Sequence, residues 1–503
     1  MEALRRLPRF MPLIAVAGLV VVIVWLGVGL GSSRPTPAAS TAGSMALTSP
    51  SFDAGRVSPS APSPLATASA SIPAGPATPG SAASAAPPSI PGSAIVPGEV
   101  GRTSLALSAT YDAQVQLGFD NRRFDVQAGL SITNTSGGPV DRIELNTAAA
   151  RLGSLRLDAV RVDGQRVSAS VDDQTIVVPL GGVLPPDASA QVEVQFRSTL
   201  RSGLKGSDWM FTRVNGIVDA YRWLPWISQR RAFNRPNHGD PFVTPTSPRV
   251  RVSVTTDRPL TLATTGQRTA VDGLRQTFEA TNVRDFNLTG APDYRVSEAA
   301  AGGVTIRAFT RPGGLPAGTL LAEARRALGA FGQRLGAYPY SAFSVAQSAG
   351  GYAVESPGLI WLPTGAPNLS YLVHHESAHQ WFYGIVGSDQ AQEPFADEAP
   401  ADFVARHVLG SRRASRCATA ALDRTIYAYS SACYYEVVYI QGGALIDDAR
   451  RRMGDTAFWR AMRGYVEANR FGLSGTRSLL DALDAATSEN LRARYAARFP
   501  TIF

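Results

Sequence analysis

Residues 371–403 read YLVHHESAHQWFYGIVGSDQAQEPFADEAPADF, and they contain the pattern HExxH at His375, Glu376 and His379. Side chains four residues apart lie on one face of an α-helix, so the two histidines can bind one metal ion together. Glu376 follows the first histidine directly, where its carboxylate can poise a water molecule on that metal. Eighteen residues separate His379 from Glu398, which begins a second helical segment. A helix, a short glycine-containing turn and a second helix would bring this carboxylate back to the histidines.

Histidine is scarce in this chain, and three of its five histidines (His374, His375 and His379) fall within six residues. An incidental HExxH pattern is therefore improbable, below about one in a hundred. Zinc binds nitrogen and carboxylate ligands tetrahedrally, and a catalytic zinc keeps one of its four positions open. We predict one zinc ion per chain, bound by His375, His379 and Glu398. The alternative is a core helix whose histidines are incidental.

The segment HHESAHQWFYG, followed by DEAPADF, resembles the pattern of the M1 aminopeptidases, HExxHxW with a glutamate eighteen residues later. Two flanking stretches strengthen this resemblance. GYAVESPGL, residues 351–359, is similar to the GAMENWGL stretch of that family, and VYIQGGA, residues 438–444, is similar to its YxKGA stretch. The resemblance covers roughly residues 100–503. Thermolysin-like peptidases also use HExxH with a distal glutamate, but they lack these flanks.

The resemblance implies a role for each matching residue. Glu376 is implied to be the general base of peptide hydrolysis, and Tyr439 to donate a hydrogen bond to the oxyanion. Glu355 is implied to bind the free α-amine of the substrate, which would make the protein an aminopeptidase acting on peptides with a free N-terminus. The alternative for Tyr439 is a packed core residue, with Tyr434 and Tyr435 as rival donors. The alternative for Glu355 is a solvated loop carboxylate.

Several positions depart from the family pattern. Val354 and Ser356 replace the methionine and asparagine beside the amine-binding glutamate, and Pro357 replaces a tryptophan. Ala399 stands where the family has glycine, and Gln441 where it has lysine. None of these positions is a zinc ligand or the general base, so hydrolysis is still expected. A zinc endopeptidase or other hydrolase of the same fold is one alternative, and a non-catalytic extracellular binding module is another.

Asp402 lies four residues after Glu398, on the same face of the predicted helix. A carboxylate in that position is a candidate hydrogen-bond partner for a zinc-binding histidine, whose orientation it would fix. The alternative is an ordinary solvated aspartate.

The N-terminus has the composition of a membrane anchor. Residues 1–9 are basic, and residues 10–30, FMPLIAVAGLVVVIVWLGVGL, carry no charge. As a helix the apolar segment would be roughly 31 Å long, enough to cross the membrane's hydrocarbon core. We predict an uncleaved signal anchor over residues 1–31, with its basic end in the cytoplasm and the rest of the chain outside the cell membrane. A cleaved signal peptide, which would make the protein secreted, is the alternative.

Residues 32–98 are dominated by Ala, Pro, Ser, Gly and Thr. Such a segment buries too little apolar surface to offset the conformational entropy lost on ordering. It is predicted to be a disordered linker that holds the rest of the chain away from the membrane. A mucin-like glycosylated segment is the alternative.

The remainder predicts an α+β protein of two domains. Residues 99–300 alternate between apolar and polar side chains, as in Tyr111 to Leu117, which indicates half-buried strands of a β-sandwich-type domain. The aromatic run at residues 221–226 is assigned to its core, with a cleft lining as the alternative. From residue 301 the apolar period becomes helical, and one helix is predicted to end before Tyr338. The resemblance implies a thermolysin-like, mainly helical peptidase domain over residues 301–503, without the large C-terminal helical domain of many M1 proteins.

Cys417 and Cys433 are the only cysteines, and both follow the predicted anchor. In an oxidising compartment a disulfide is expected, which would contribute on the order of 3 kcal/mol by closing a loop of about 15 residues. Two separate buried thiols are the alternative.

The net charge of +8 comes almost wholly from arginine. The basic groups at Arg412 and Arg413, and at residues 450–452, are interpreted as solvated helix faces, with affinity for anionic lipid or polymer as the alternative. The chain has no nucleic-acid-binding motif, and no nucleic acid is expected as a partner.

Overall fold

The computed structural model describes residues 92–103, 107–228 and 242–503. The predicted anchor, residues 1–31, lies outside these ranges, as does the predicted linker up to residue 91. No helix within the described ranges combines the length and the apolar composition that a membrane span requires. The last residues assigned to the linker lie against the β domain, because Val96 forms a β-bridge with Val183.

Between residues 107 and 291 the described chain is mainly β-strand. Its strands are β1 (Leu107–Gly118), β2 (Arg123–Asn134), β3 (Val140–Asn146), β4 (Arg156–Val162), β5 (Gln165–Arg166), β6 (Ser170–Asp172), β7 (Thr175–Leu184), β8 (Ser189–Thr199), β9 (Phe211–Val214), β10 (Ile217–Ala220), β11 (Trp226–Ile227), β12 (Val250–Thr256), β13 (Thr261–Thr264), β14 (Gln267–Asp272), β15 (Arg275–Ala280) and β16 (Leu288–Ala291). A short helix, α1 (Ala148–Leu152), and a 3-10 turn (Asp208–Met210) lie among them.

These strands form three sheets. The largest has eight strands in the order β14-β15-β12-β1-β2-β8-β4-β5, and two four-stranded sheets have the orders β13-β16-β10-β9 and β11-β3-β7-β6. Side chains from all three sheets share one hydrophobic core. The domain is therefore more elaborate than the simple sandwich that the strand pattern predicts, because an alternating strand shows which face is buried but not which sheet it joins.

The alternation itself is confirmed. In β1, Tyr111, Ala113 and Val115 are buried, whereas the residues between them are exposed. β1 pairs with β2 antiparallel along its full length and with β12 in parallel. The assignment of the aromatic run at residues 221–226 to the core is also confirmed, since Trp223 and Trp226 are buried in it.

The second domain has a five-stranded sheet in the order β17-β18-β19-β21-β20 and seven described helices. Its strands are β17 (Arg295–Ala301), β18 (Val304–Thr310), β19 (Ala342–Ser348), β20 (Val354–Ser356) and β21 (Leu359–Pro363). Its helices are α2 (Ala317–Leu335), α3 (Leu369–Ala378), α4 (Phe395–Leu409), α5 (Gly442–Met453), α6 (Asp455–Ala468), α7 (Thr476–Asp484) and α8 (Leu491–Tyr495), with π-helical turns at Gln380–Ile385 and Tyr435–Gln441 and 3-10 turns at Ile426–Ala428 and Ala496–Arg498.

The two domains meet a few residues before the predicted boundary at residue 300. β17 begins at Arg295 and pairs antiparallel with β18 through a turn at Gly302 and Gly303, so it belongs to the second sheet. The helix predicted to end before Tyr338 is α2, which ends at Leu335. Cys417 and Cys433 form a disulfide, with Cα atoms 5.8 Å apart, and it closes a loop just before the π-helical turn at Tyr435–Gln441.

Candidate active site

α3 carries the first half of the site. His375 and Glu376 lie in its last turn, and His379 ends the helix where the chain continues into the π-helical turn Gln380–Ile385. The wider turn is closed by a hydrogen bond of 2.7 Å from the Gly384 N–H to the His379 carbonyl. π-Helical turns are rare and occur frequently at functional sites. All three predicted side chains are buried.

α4 brings the third predicted ligand to the histidines. Oε2 of Glu398 is 3.3 Å from Nε2 of His375 and 3.3 Å from Nε2 of His379. The two Nε2 atoms are themselves 3.3 Å apart. A tetrahedral zinc ion with bonds near 2.0–2.1 Å requires ligand atoms that are ~3.3 Å from one another. The three atoms therefore form an equilateral triangle of the size that zinc needs.

The chemistry of the surroundings also fits a cation. Oε2 of Glu398 is buried and makes no hydrogen bond to any residue that the structure describes. One oxygen each of Glu355 and Glu376 lies within 4.8 Å of the other and of a ring nitrogen of His379. Buried charges are ordinarily paired or bound to metals, because desolvating an isolated carboxylate is costly. Several buried carboxylates around two imidazoles therefore favour a divalent cation.

Asp397 orients His379, and the prediction for Asp402 is wrong. Nδ1 of His379 is 2.8 Å from Oδ1 of Asp397, the residue just before the third ligand. Asp402 instead accepts hydrogen bonds from the Tyr371 hydroxyl at 2.6 Å and from Nε of Arg406 at 2.9 Å. It is not a solvated aspartate either, because only 1% of it is exposed. Asp402 lies more than one turn further along α4, where a guanidinium neutralises it.

The contacts between ligands shift their pKa values. Burial alone lowers the pKa of His379, but the carboxylates of Asp397 and Glu398 outweigh burial and raise it well above its ordinary value. Burial alone raises the pKa of Glu398, yet the two histidines hold it far below its ordinary value. Burial is the main reason that the pKa of Asp397 is raised. Glu398 thus stays ionised, and a metal cation competes with a proton for His379.

Glu355 lies on β20, the edge strand of the five-stranded sheet, and burial raises its pKa to about 7. The turn after β20 contains Pro357 and Gly358, and the φ of 73° at Gly358 lies in the left-handed region that favours glycine. The Gln380 side chain donates to the Ser356 carbonyl at 2.9 Å and accepts from the Gly358 N–H at 2.8 Å. Gln380, the residue after His379, thus fixes the position of the strand that carries Glu355.

Gln390 links Glu355 to the ligand cluster. Its Nε2 donates to Oε1 of Glu355 at 3.0 Å and to Oδ2 of Asp397 at 2.6 Å. Its Oε1 accepts a hydrogen bond of 2.8 Å from Arg222, which fixes the orientation of the amide. Neither Gln390 nor Arg222 is predicted by the sequence, because a lone amide and an arginine inside an aromatic run carry no recognisable pattern. Asp397 could have been predicted, since it precedes the third ligand directly.

Arg222 comes from the β domain and is buried. Its φ of 46° is uncommon for a residue with a side chain, and Tyr221 and Trp223 on either side are anchored in the core. Its backbone N–H donates to Oδ1 of Asn287. Its guanidinium also lies 3.3 Å from the hydroxyl of Tyr383, in the first π-helical turn. The β domain thus contributes a cation to the hydrogen-bond network of the site.

Tyr439 lies in the second π-helical turn, against a zinc-ligand candidate. Its ring is nearly parallel to the imidazole of His375, with centroids 5.3 Å apart and an angle of 27° between the planes. Tyr371 stands in a similar relation to His375, at 5.6 Å and 23°. The hydroxyl of Tyr371 donates to Asp402.

The rival tyrosines lie nearby but face other partners. The Tyr435 hydroxyl accepts from Arg406 at 2.9 Å and donates to the Tyr371 hydroxyl at 3.3 Å. Tyr434 is half-buried, and its ring packs edge-on against Tyr439 with centroids 5.7 Å apart. Among Tyr434, Tyr435 and Tyr439, it is Tyr439 whose ring stacks on the zinc-ligand candidate His375.

His374 is buried on the other side of α3. Its Nδ1 is 2.8 Å from the Ser370 carbonyl, and its ring packs edge-on against Phe331 of α2. His374 is therefore a structural residue, unlike its neighbour His375.

No protein-family model matches the chain, and no curated protein matches it. Solved structures do match. A variant of an M1 zinc metallopeptidase from Deinococcus radiodurans superposes with a TM-score of 0.63 and 21% identity, over 82% of this chain and 98% of that one. The variant bound to a Tyr-Ser-Ala substrate gives 0.63 and 20%, over 81% and 97%. The M1 zinc metallopeptidase without the substitution gives 0.62 and 22%, over 82% and 97%.

The chain has the M1 metallopeptidase fold. The match covers 82% of the chain, so the M1 metallopeptidase fold includes both the β domain and the domain that carries the histidines. The predicted α+β class and the resemblance to M1 proteins are thereby confirmed at the level of the fold.

Proposed function

We propose that this protein is a zinc-dependent aminopeptidase that removes N-terminal residues from peptides. The observation that carries the proposal is the 3.3 Å triangle of His375, His379 and Glu398, with Glu376 and Glu355 beside it. Solved structures of the same fold are described as zinc metallopeptidases, one bound to Tyr-Ser-Ala and another to L-arginine, which carries a free α-amine.

Zinc, when bound, lowers the pKa of a coordinated water and polarises a carbonyl oxygen. Glu376 accepts the proton of the attacking water and passes it to the leaving amine. Its position supports this role, because Glu376 is buried and one of its oxygens lies within 4.8 Å of a ring nitrogen of His379. Asp397 holds the imidazole of His379 in the orientation that directs Nε2 to the metal.

Tyr439 donates a hydrogen bond to the oxyanion that forms when the carbonyl is attacked. The stacking of Tyr439 on His375 supports this role, because it keeps the tyrosine beside the predicted zinc ligands. A neutral phenol can donate such a bond without adding a charge to the site.

Glu355 binds the α-ammonium group of the substrate. Gln390 donates to one of its oxygens, so the carboxylate is held in place while it also accepts from the ligand. Arg222 in turn orients Gln390, which makes the β domain part of substrate recognition. The predicted anchor over residues 10–30 would place this activity outside the cell membrane.

The experiment compares one peptide with and without an N-terminal acetyl group, in wild type and in Glu355→Ala. Wild type should strongly prefer the free amine, because losing the partner of a partly desolvated charge costs about 2–5 kcal/mol. Glu355→Ala should lose most of its activity on the free peptide and little on the acetylated one. Glu467→Gln, at an exposed carboxylate, is the control and should behave as wild type. Equal wild-type activity on both peptides would favour an endopeptidase.

A further inference from the structure

A cavity of about 530 Å³ lies between α4 and α5, and none of its lining residues is a zinc-ligand candidate. Two basic groups that are far apart in the sequence meet there. Arg412 and Arg413 follow α4, whereas Arg450 and Arg451 belong to the last turn of α5. Arg406 of α4 adds a fifth guanidinium to the lining. The separate solvated faces expected from the sequence are therefore one convergent surface.

The acidic residues of the cavity do not balance these arginines. Asp447 is shared by three guanidinium groups, at 3.0 Å from Arg450, 3.5 Å from Arg451 and 3.8 Å from Arg412. Arg450 also pairs with Asp455. Arg451 and Arg412 have only these longer contacts to Asp447 among the ion pairs within the described ranges. One carboxylate therefore faces an excess of positive charge.

The other two lining arginines each have a buried carboxylate of their own. Arg406 is paired with the buried Asp402, and Arg413 with the buried Glu436. The surplus charge thus lies at the mouth of the cavity, where the side chains of Arg412 and Arg451 are 76% and 49% exposed. These two guanidinium groups are free to turn toward a ligand.

His407, which also lines the cavity, responds to this positive field. Burial lowers the pKa of its imidazole, and the charge of Arg450 lowers it further. Burial is the main cause of this shift, and the further contribution of Arg450 is consistent with a local excess of positive charge.

We propose that this cavity binds a phosphate-type oxyanion between Arg412 and Arg451. A guanidinium group presents parallel N–H donors that match two oxygens of a phosphate, so one tetrahedral anion can bridge two arginines. Such an anion would also supply the negative charge that Asp447 alone does not. The proposal is independent of the peptidase function. Free phosphate and the phosphate of a lipid headgroup share this chemistry.

The test is isothermal titration of the zinc-loaded full chain with inorganic phosphate and, separately, with glycerophosphoglycerol as a soluble lipid headgroup. We expect saturable binding of one anion per chain for at least one of the two probes. R412Q/R451Q should weaken it about tenfold or more, because each hydrogen bond to a charged group contributes about that factor. R325Q/R494Q is the matched control, since it removes the same charge from two exposed positions outside the cavity.

The two probes distinguish the source of the anion, and tighter binding of either one supports the site. Absence of saturable binding for both probes would overturn the proposal. Binding that is retained in R412Q/R451Q would belong to the predicted zinc site and would overturn the proposal as well. An equal loss in R325Q/R494Q would mean that only net charge matters, which is the third result that contradicts a built site.

Discussion

Glu398 and Asp402 are both buried carboxylates of α4, and they differ in what neutralises them. In the first turn of the helix, Glu398 contacts both His375 and His379, which are neutral when they bind a metal. Further along the helix, Asp402 is bound by Arg406, whose guanidinium also lies 4.5 Å from the ring centre of Tyr371. Asp402 has a permanent cation built into the chain, whereas the groups that face Glu398 are imidazoles, which bind either a proton or a metal.

This difference shows why burial alone does not identify a metal ligand. Glu398 and Asp402 are both buried, and each is in contact with a residue of α3. Nε of Arg406 donates to both oxygens of Asp402 and the Tyr371 hydroxyl donates to one of them, which leaves no position for a metal. Substitutions that exchange or remove these partners therefore distinguish a structural carboxylate from a functional one.

The largest effect is expected for Glu376→Gln, which removes the general base and leaves the predicted zinc ligands in place. Turnover should fall by about 10²–10⁴, because proton transfer by a positioned base contributes that much. Steady-state kinetics on a zinc-loaded sample measures it, with Glu467→Gln as the exposed control. Turnover near the wild-type value, with zinc retained, would remove Glu376 from the mechanism.

Arg406→Met breaks the built-in pair and should mainly affect stability. Asp402 would be left buried and uncompensated, so the free energy of unfolding should fall by roughly 3–5 kcal/mol. Denaturant unfolding measures this loss, and the exposed Arg494→Met serves as the control. A change within experimental error of the control would mean that water, and not Arg406, neutralises Asp402.

Tyr439→Phe and Tyr371→Phe form a matched pair on the two sides of the comparison. Both rings stack on His375, and the Tyr371 hydroxyl donates to Asp402. Removing the Tyr439 hydroxyl should lower kcat by about 10²–10³, the effect of losing one oxyanion donor. Tyr371→Phe should change kcat far less. The opposite order would show that Tyr371, and not Tyr439, is the oxyanion donor.

Asp397→Asn should have the smallest of these effects. The amide can still accept a hydrogen bond from His379 but no longer carries a charge, so zinc affinity should fall about 10–100-fold. Competition with a chelator measures the affinity, and the exposed Asp272→Asn is the control. An unchanged affinity would show that Asp397 has only a packing role.

The sequence predicted the parts of the site that depend on local spacing. His375 and His379 are four residues apart on one helix, and the turn back to Glu398 is short, so few arrangements of these residues are possible. The α+β class followed from the change of period, because alternation and helical spacing report directly on burial.

The parts that could not be predicted depend on contacts between distant segments. Gln390 and Arg222 are 168 residues apart, and their hydrogen bond exists only because the β domain packs against the connection between α3 and α4. Asp402 was assigned incorrectly for a related reason. Its spacing from Glu398 indicates a helix face, but the spacing does not reveal that Arg406 and Tyr371 occupy that face.

The central claim is that Glu398 of α4 binds zinc and Asp402 does not. Metal analysis of purified Glu398→Gln and Asp402→Asn tests it directly, because both variants replace a buried carboxylate of the same helix by an amide. We predict about one zinc per chain in wild type and in Asp402→Asn, and loss of zinc in Glu398→Gln. Full zinc content in Glu398→Gln, or its loss in folded Asp402→Asn alone, would contradict the account.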